Sequence, residues 1–543
     1  MGWSRIFAAI VATCAAFIAA PAQARWIEAT SPNFILYSEG SEADLRRFAV
    51  LLEDYDQLLR WATGTKEPPS PNRLPIYMVR DGGLRIVRPG LPQDTAGFYT
   101  ANSGSIAAFS SRAQGYGMDR DDVLFHEYAH HFMLQYYARD YPAWYVEGFA
   151  EYMMTANFTA KTIEYRRFNA GRAVSLVNQA WLPVERILDP KQGKRRTRQE
   201  NWMFYAESWL IVHYLFSTSD RAKALNTYLD ALADGKPAPE AFRSSFGMDF
   251  KAFDKALRGY MNSKITYTRM TRSSERAAPE VTLRTLPSSA DKLLLLRAAM
   301  RLGVAENDQP RVLEAVRKEA ADFPDDGLAI TTLAQAEILL NDTPAGRAAG
   351  RALLDRLPAA ERENAEVYYL RGIADLDDAQ DADADKADEL YRAARRMFTR
   401  AHKLDANYFP ALYRYAQARL AVGPPDDNTL NVLLLARELA PQVGEIGLQA
   451  AAALMQRDRF KEAELILIAH AADPHGGDFS KAARSMLAMA RASRKPGQFS
   501  TDLPDLNAAE ESGDDQDAPE PTAADPAGKS GENGEPSPPR QSN

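Results

Sequence analysis

The period of the hydrophobic positions changes several times along this chain. Over residues 25–40, Trp26, Ile27, Phe34, Ile35, Leu36 and Tyr37 alternate with polar residues, which predicts strands. From Ser41 the spacing turns helical. Ser41, Glu42 and Asp44 resemble a cap, and Leu45, Phe48, Leu51, Leu52, Tyr55, Leu58 and Leu59 follow at helical intervals. Prolines at 68–71 break that pattern, and 74–79 reads as a strand ending at Asp81-Gly82-Gly83. Residues 96–100 and 105–109 flank an Asn102-Ser103-Gly104 turn, which predicts a hairpin. Apolar helical runs come next, around 123–133, 142–152 and 201–215, and beyond Glu151 the chain is expected to be mostly helical. Phe250, Phe253, Leu257 and Tyr260 mark a last helix, and a polar connector at roughly 271–287 closes this half.

The second half has a different rhythm. A turn marker recurs at Pro324, Pro358, Ala406, Pro441 and Pro474, at intervals of 34, 48, 35 and 33 residues. The long interval contains the acidic insert 377–388, which accounts for most of the excess. Ala401, Ala436 and Ala469 stand five before a marker, Phe398 and Ile466 eight before, and Ala394 and Ala463 twelve and eleven before. This pattern resembles the tetratricopeptide repeat, a helix-turn-helix unit of about 34 residues. The resemblance implies an all-α solenoid whose concave groove binds a peptide or protein partner. His402, His470 and His475 fall in this half and read as structural or solvated. From about 495 the chain turns acidic and Pro/Gly/Ser-rich, which predicts a disordered tail.

Composition narrows the setting. Arg5, an apolar run over 6–20 and Ala22-Gln23-Ala24 read as a secretory signal peptide spanning 1–24. The only cysteine, Cys14, lies inside it, so disulfides and cysteine-ligated zinc are excluded from the expected mature chain. No later apolar run reaches membrane-spanning length, so the expected location is periplasmic or secreted. A net charge of −8 gives no support to nucleic-acid binding.

The chemistry concentrates in Val123-Leu124-Phe125-His126-Glu127-Tyr128-Ala129-His130-His131. Histidines at i and i+4 of a helix sit about 40° apart around its axis and about 6 Å apart along it. His126 and His130 can therefore converge on one tetrahedral Zn²⁺, with Glu127 between them as general base for a zinc-activated water. His131 is turned about 100° away from His130 and reads as packing or as a partner of a ligand.

With Val146-Glu147-Gly148-Phe149-Ala150, this motif resembles the gluzincin metallopeptidases, including the peptidase MA-like proteins. The resemblance implies an α+β zincin-like fold and a third zinc ligand at Glu147. Val146 stands where Asn is frequent, and 17 positions from His130 to Glu147 is slightly short for the family. Glu151, one turn on, either supports a zinc-bound histidine or is a solvated carboxylate. In the family a strand before the HExxH helix forms a sheet edge along which a peptide lies. The Gly-Ala-Met-Glu-Asn motif of its aminopeptidases is absent here. The resemblance also calls for an oxyanion donor on a later helix. Tyr205 and His213 both suit, Tyr205 is favoured, and an aromatic core helix is the plainer alternative. Lys191, Lys194, Arg195, Arg196 and Arg198 form a basic loop, either simply solvated or suited to an acidic substrate.

The organisation expected is a signal peptide at 1–24, a zinc metallopeptidase-like domain at 25–275, tetratricopeptide-like repeats at 288–494 and a tail at 495–543. The expected function is zinc-dependent peptide hydrolysis, with repeats that recruit a substrate or partner. The alternative is a repeat scaffold whose peptidase-like domain is not catalytic.

Overall fold

The computed structural model describes residues 25–80, 82–93, 95–111, 120–189, 196–272 and 277–493. The signal-peptide segment, the tail from 495, and Lys191, Lys194 and Arg195 of the basic loop lie outside them.

Six strands form the main sheet: β1 (Ile27–Thr30), β2 (Phe34–Ser38), β3 (Leu74–Val79), β4 (Gly97–Ala101), β5 (Ile106–Ser111) and, much later, a strand at Thr282–Thr285. Their order is β4-β5-β3-β2-β1 and then Thr282–Thr285, with β2, β3 and β5 parallel and the rest antiparallel. Register puts Tyr37, Tyr77, Phe109 and Phe98 side by side across four strands. Their rings stack at centroid distances of 4.8 Å. Cross-strand aromatic pairs of this kind help pin register.

The opposite face, with Phe34, Leu36, Leu74, Ile76 and Ala108, is covered by the helices Glu42–Thr63 and Arg120–Tyr136. The first of these starts at Ser41, whose hydroxyl accepts from Asp44 N, and ends at Gly64, whose φ of 73° is open to glycine.

Two features depart from the sequence reading. Beyond Glu151 the described chain is mostly helical, as expected, but β6 (Asn157–Phe158), β7 (Thr162–Tyr165) and β8 (Thr268–Thr271) add a small antiparallel sheet that the reading did not contain. The stretch read as a polar connector carries β8 and then β9, the Thr282–Thr285 strand, which pairs with β1. Both strands are short and mostly polar, so they leave no apolar alternation to read.

From Ala290 the described chain is all helical. Hairpins pair Ala290–Leu302 with Gln309–Ala320, Gly327–Leu339 with Pro344–Arg356, and Ala365–Gln380 with Ala384–Leu404. Two more pair Phe409–Leu420 with Asp427–Leu439 and Gly444–Met455 with Phe460–Ala472, and Gly477–Ala492 closes the series. The markers Pro324, Ala406, Pro441 and Pro474 each fall in the turn between hairpins, and Pro358 caps a single helical turn, Ala359–Arg362, before the third. Ala394, Ala401, Ala436 and Ala463 are fully buried, which is why only a small residue stands there. The acidic insert does not loop out; it lengthens the third hairpin, whose second helix runs 21 residues.

Both ends of this solenoid join the sheet domain. Ala290, Leu294, Ala298 and Ala299 pack on the aromatic ladder side, with Tyr77, Phe98 and Phe109. At the other end, residues from Phe409 to Ala490 belong to the same apolar cluster as the helices Glu42–Thr63 and Arg120–Tyr136. The middle hairpins form a separate cluster, from Ile330 to Ala418. The solenoid therefore bridges over the sheet domain. The shared core makes one cooperative unit, so we expect full-length protein to unfold in one calorimetric transition. A chain ending at residue 275 should fail to give a cooperative transition, because it lacks β9 and both solenoid contacts. Two well-separated transitions in the full-length chain would contradict this.

Candidate metal centre

His126 and His130 project from one face of the helix Arg120–Tyr136, and Glu147 from the facing helix Ala143–Met153. The two Nε2 atoms are 3.0 Å apart, and Glu147 Oε2 lies 3.5 Å from the first and 3.4 Å from the second. A tetrahedral ion with bonds of about 2.05 Å has donors about 3.3 Å apart, so this triangle has the right size. Glu147 is 1% exposed, and among the described residues neither its oxygens nor His126 Nδ1 has an aligned hydrogen-bond partner, although His475 Nε2 comes within 2.8 Å of Oε1. A buried carboxylate left this way is costly unless a cation is near. Together the three residues could hold a metal ion. Burial alone would raise the Glu147 carboxyl, but the imidazoles of His475, His130 and His126 hold it well below its ordinary range.

The helix carrying Glu147 is held by a close approach. A Cβ on Gly148 would stand 2.4 Å from Ser208 O and 2.6 Å from Val212 Cγ2, so glycine lets the helix Arg198–Leu215 lie directly against it. That contact brings Tyr205 to the site, its ring 6.3 Å from that of His126. Burial and the charge of Glu147 push the Tyr205 phenol well above its usual range, so it stays a hydrogen donor.

Glu151 is fully buried and not solvated. Oε1 lies 3.5 Å from His126 Nδ1, while Arg172 grips both oxygens at 2.6 and 2.9 Å and Asn169 Nδ2 donates to Oε2 at 3.1 Å. Arg172 also lies over the Tyr205 ring, at 5.2 Å from its centroid. Nothing in the sequence linked Arg172 to this site, because it comes from a separate helix, Ala170–Asn178.

His213 is elsewhere. Its Nε2 donates to Arg166 O at 3.0 Å and its Nδ1 meets the Tyr260 hydroxyl at 2.8 Å, so it does not reach the metal group. His131 points off the metal face, its Nδ1 3.1 Å from the Tyr99 hydroxyl and its ring stacked on Tyr128.

The site opens into a cleft of about 1400 Å³. One wall is β4 and the turn after it, with Glu127 and His130; the other is the solenoid, including Gln335, Tyr369, Gln442 and His475. The sheet edge on the cleft is β4 and not the strand directly before the HExxH helix, since β5 is enclosed between β4 and β3.

His475 corrects an expectation. It is not a scattered solenoid histidine: its Nε2 is 2.8 Å from Glu147 Oε1 and its ring is 5.0 Å from that of His130. Its sequence neighbourhood, Asp-Pro-His-Gly-Gly at a repeat turn, carries no periodic signal of this role. His470 is the packing residue expected, buried against Gly447, where a Cβ would come within 2.1 Å of its Nε2.

No protein-family model matches this chain, and neither does any curated protein. Among solved structures, it is similar to the crystal structure of a thermophilic TPR protein from Thermus thermophilus. That likeness has a TM-score of 0.31 and 18% identity, over 37% of this chain and 100% of that one. The repeat reading stands on the helical hairpins themselves, which are TPR-like in length and order.

Two expectations follow. Arg172→Ala leaves the Glu151 carboxylate buried without its guanidinium and should cost about 3–5 kcal/mol in denaturant unfolding; a loss under about 1 kcal/mol would refute it. Burial pushes His213 down to about 4. Its unfolded imidazole takes a proton near pH 6.5, so stability should fall from that pH toward 4, by up to about 3 kcal/mol. A stability curve flat across that window would contradict the burial.

Proposed function

We propose that this chain is an exported zinc metallopeptidase of the gluzincin kind, hydrolysing peptide bonds in the cleft beneath its repeats. The observation that carries the reading is Glu127 on the cleft wall, on the same helix as His126 and His130, which converge with Glu147. Two imidazoles and a carboxylate at tetrahedral spacing suit zinc, and three protein donors leave a position for water or substrate.

His126, His130 and Glu147 would hold the ion, which when bound supplies Lewis-acid polarisation and a water of lowered pKa. Glu127 takes the proton of the attacking water and delivers it to the departing amine nitrogen. The Tyr205 hydroxyl, kept protonated by burial, donates to the developing oxyanion. Arg172 and Glu151 hold the His126 ring in place from behind. An extended substrate pairs its backbone with the free edge of β4.

Glu127→Gln should keep about one zinc per chain by elemental analysis and lose about 10²–10⁴-fold in hydrolysis of a denatured protein substrate. Glu147→Ala should lose both zinc and activity. Undiminished hydrolysis by Glu127→Gln would sink the mechanism, and wild-type protein that takes up no zinc would sink the metal assignment.

A further inference from the structure

We propose that His475 is a positioning residue for Glu147, so that the repeat domain supplies part of the metal centre. The inference rests on the zinc reading above and goes beyond it, because it gives the solenoid a place in the chemistry as well as in binding.

The two oxygens of Glu147 are addressed from different sides. Oε2 faces the His126 and His130 nitrogens, while Oε1 faces His475 Nε2 at 2.8 Å. With Oε1 in close contact with the His475 nitrogen, Oε2 is the oxygen left to ligate, and rotation of the carboxylate about χ3 is restricted. His475 Nε2 is the one ion-pair contact to Oε1 among the described residues, and without it the carboxylate could swing.

The loop bearing His475 is built to hold that position. Asp473 Oδ1 accepts from His475 N at 2.9 Å, and Ser480 Oγ donates to Asp473 O at 2.8 Å. Gly477 takes φ of +49°, a conformation that favours glycine, and starts the final helix. That end of the solenoid is tied to the sheet domain. Asn72 Nδ2 donates to Leu439 O at 2.8 Å, and Gln442 Nε2 to Gln135 Oε1 at 2.7 Å on the HExxH helix. His475 therefore arrives on a braced turn. Its side chain remains 33% exposed and lines the cleft, so it holds Glu147 from the substrate side.

The test uses the full chain as wild type, His475→Ala and His475→Gln. Glutamine keeps an N–H donor near the place of Nε2; alanine keeps none. Zinc release to a chromogenic chelator is timed, and hydrolysis of denatured casein is followed in parallel. We expect His475→Ala to release zinc at least about tenfold faster with a lower kcat, and His475→Gln to recover most of both. Zinc release unchanged in His475→Ala, with wild type fully loaded, would overturn the positioning role and leave the peptidase reading intact. Faster casein hydrolysis by His475→Ala would overturn it too, marking the loop as a plug. If alanine disturbs folding, His475→Gln decides alone: zinc release at least about tenfold faster than from wild type refutes the proposal, and release near the wild-type rate upholds it. Wild type that takes up no zinc removes the peptidase reading and this inference together.

Discussion

Everything around the cleft depends on a carboxylate buried without an aligned hydrogen bond. Glu147 sits at 1% exposure among three imidazoles, where an isolated anion would cost several kcal/mol. Two local devices make its position tolerable. Gly148 removes the side chain that would keep the helix Arg198–Leu215 away, and Arg172 neutralises the second buried carboxylate, Glu151, one turn on. The two glutamates thus have different fates on one helix face. Glu151 is satisfied by a guanidinium and an amide, while Glu147 is surrounded by nitrogen atoms whose lone pairs or protons could serve either a proton or an ion. Such asymmetry favours a site built for a cation over one built for packing.

The solenoid changes what that site can reach. Because its two ends share apolar clusters with the sheet domain and its middle forms its own, it spans the site as a bridge with open space beneath. A chain entering that space meets β4 on one side and repeat residues such as Gln335 and Gln442 on the other. On the proposed reading, binding and chemistry share one cleft, and an extended or unfolded substrate threads it. Solenoid curvature, ordinarily a matter of partner recognition, here also sets the width of the cleft at the candidate metal group.

How much of this was legible follows from the range of each signal. Local periodicity found the first strands, the long helix after Ser41, the hairpin around Asn102 and the repeat turns, because each is written within about ten to thirty residues. The i, i+4 spacing of His126 and His130 was equally local. The convergence of Glu147 on them came through a resemblance, and the atoms do meet. β9 escaped because four mostly polar residues, Thr282 to Thr285, pair with a strand at the far end of the sheet domain's sequence, Ile27 to Thr30. Arg172 and His475 escaped for the same reason. Their roles exist only once separate elements are brought together, and neither lies on a periodic face that betrays it. His213 looked as suitable as Tyr205 by interval, but two further turns of helix put it beside Tyr260 and Arg166 instead.

The residues also bear on whether a metal here would be structural or catalytic. A structural ion is usually closed by four protein ligands and shielded from solvent. Here three donors meet, and one of them, His130, lines a cleft of about 1400 Å³. A structural site has no use for Glu127, which lines that cleft and makes no contribution to the donor triangle. Nor does it need a phenol held in its donor form beside His126. On the zinc reading proposed above, the cost of keeping Glu147 buried and charged is recovered when a cation binds, and Glu127 on the cleft wall gains a use when a substrate enters.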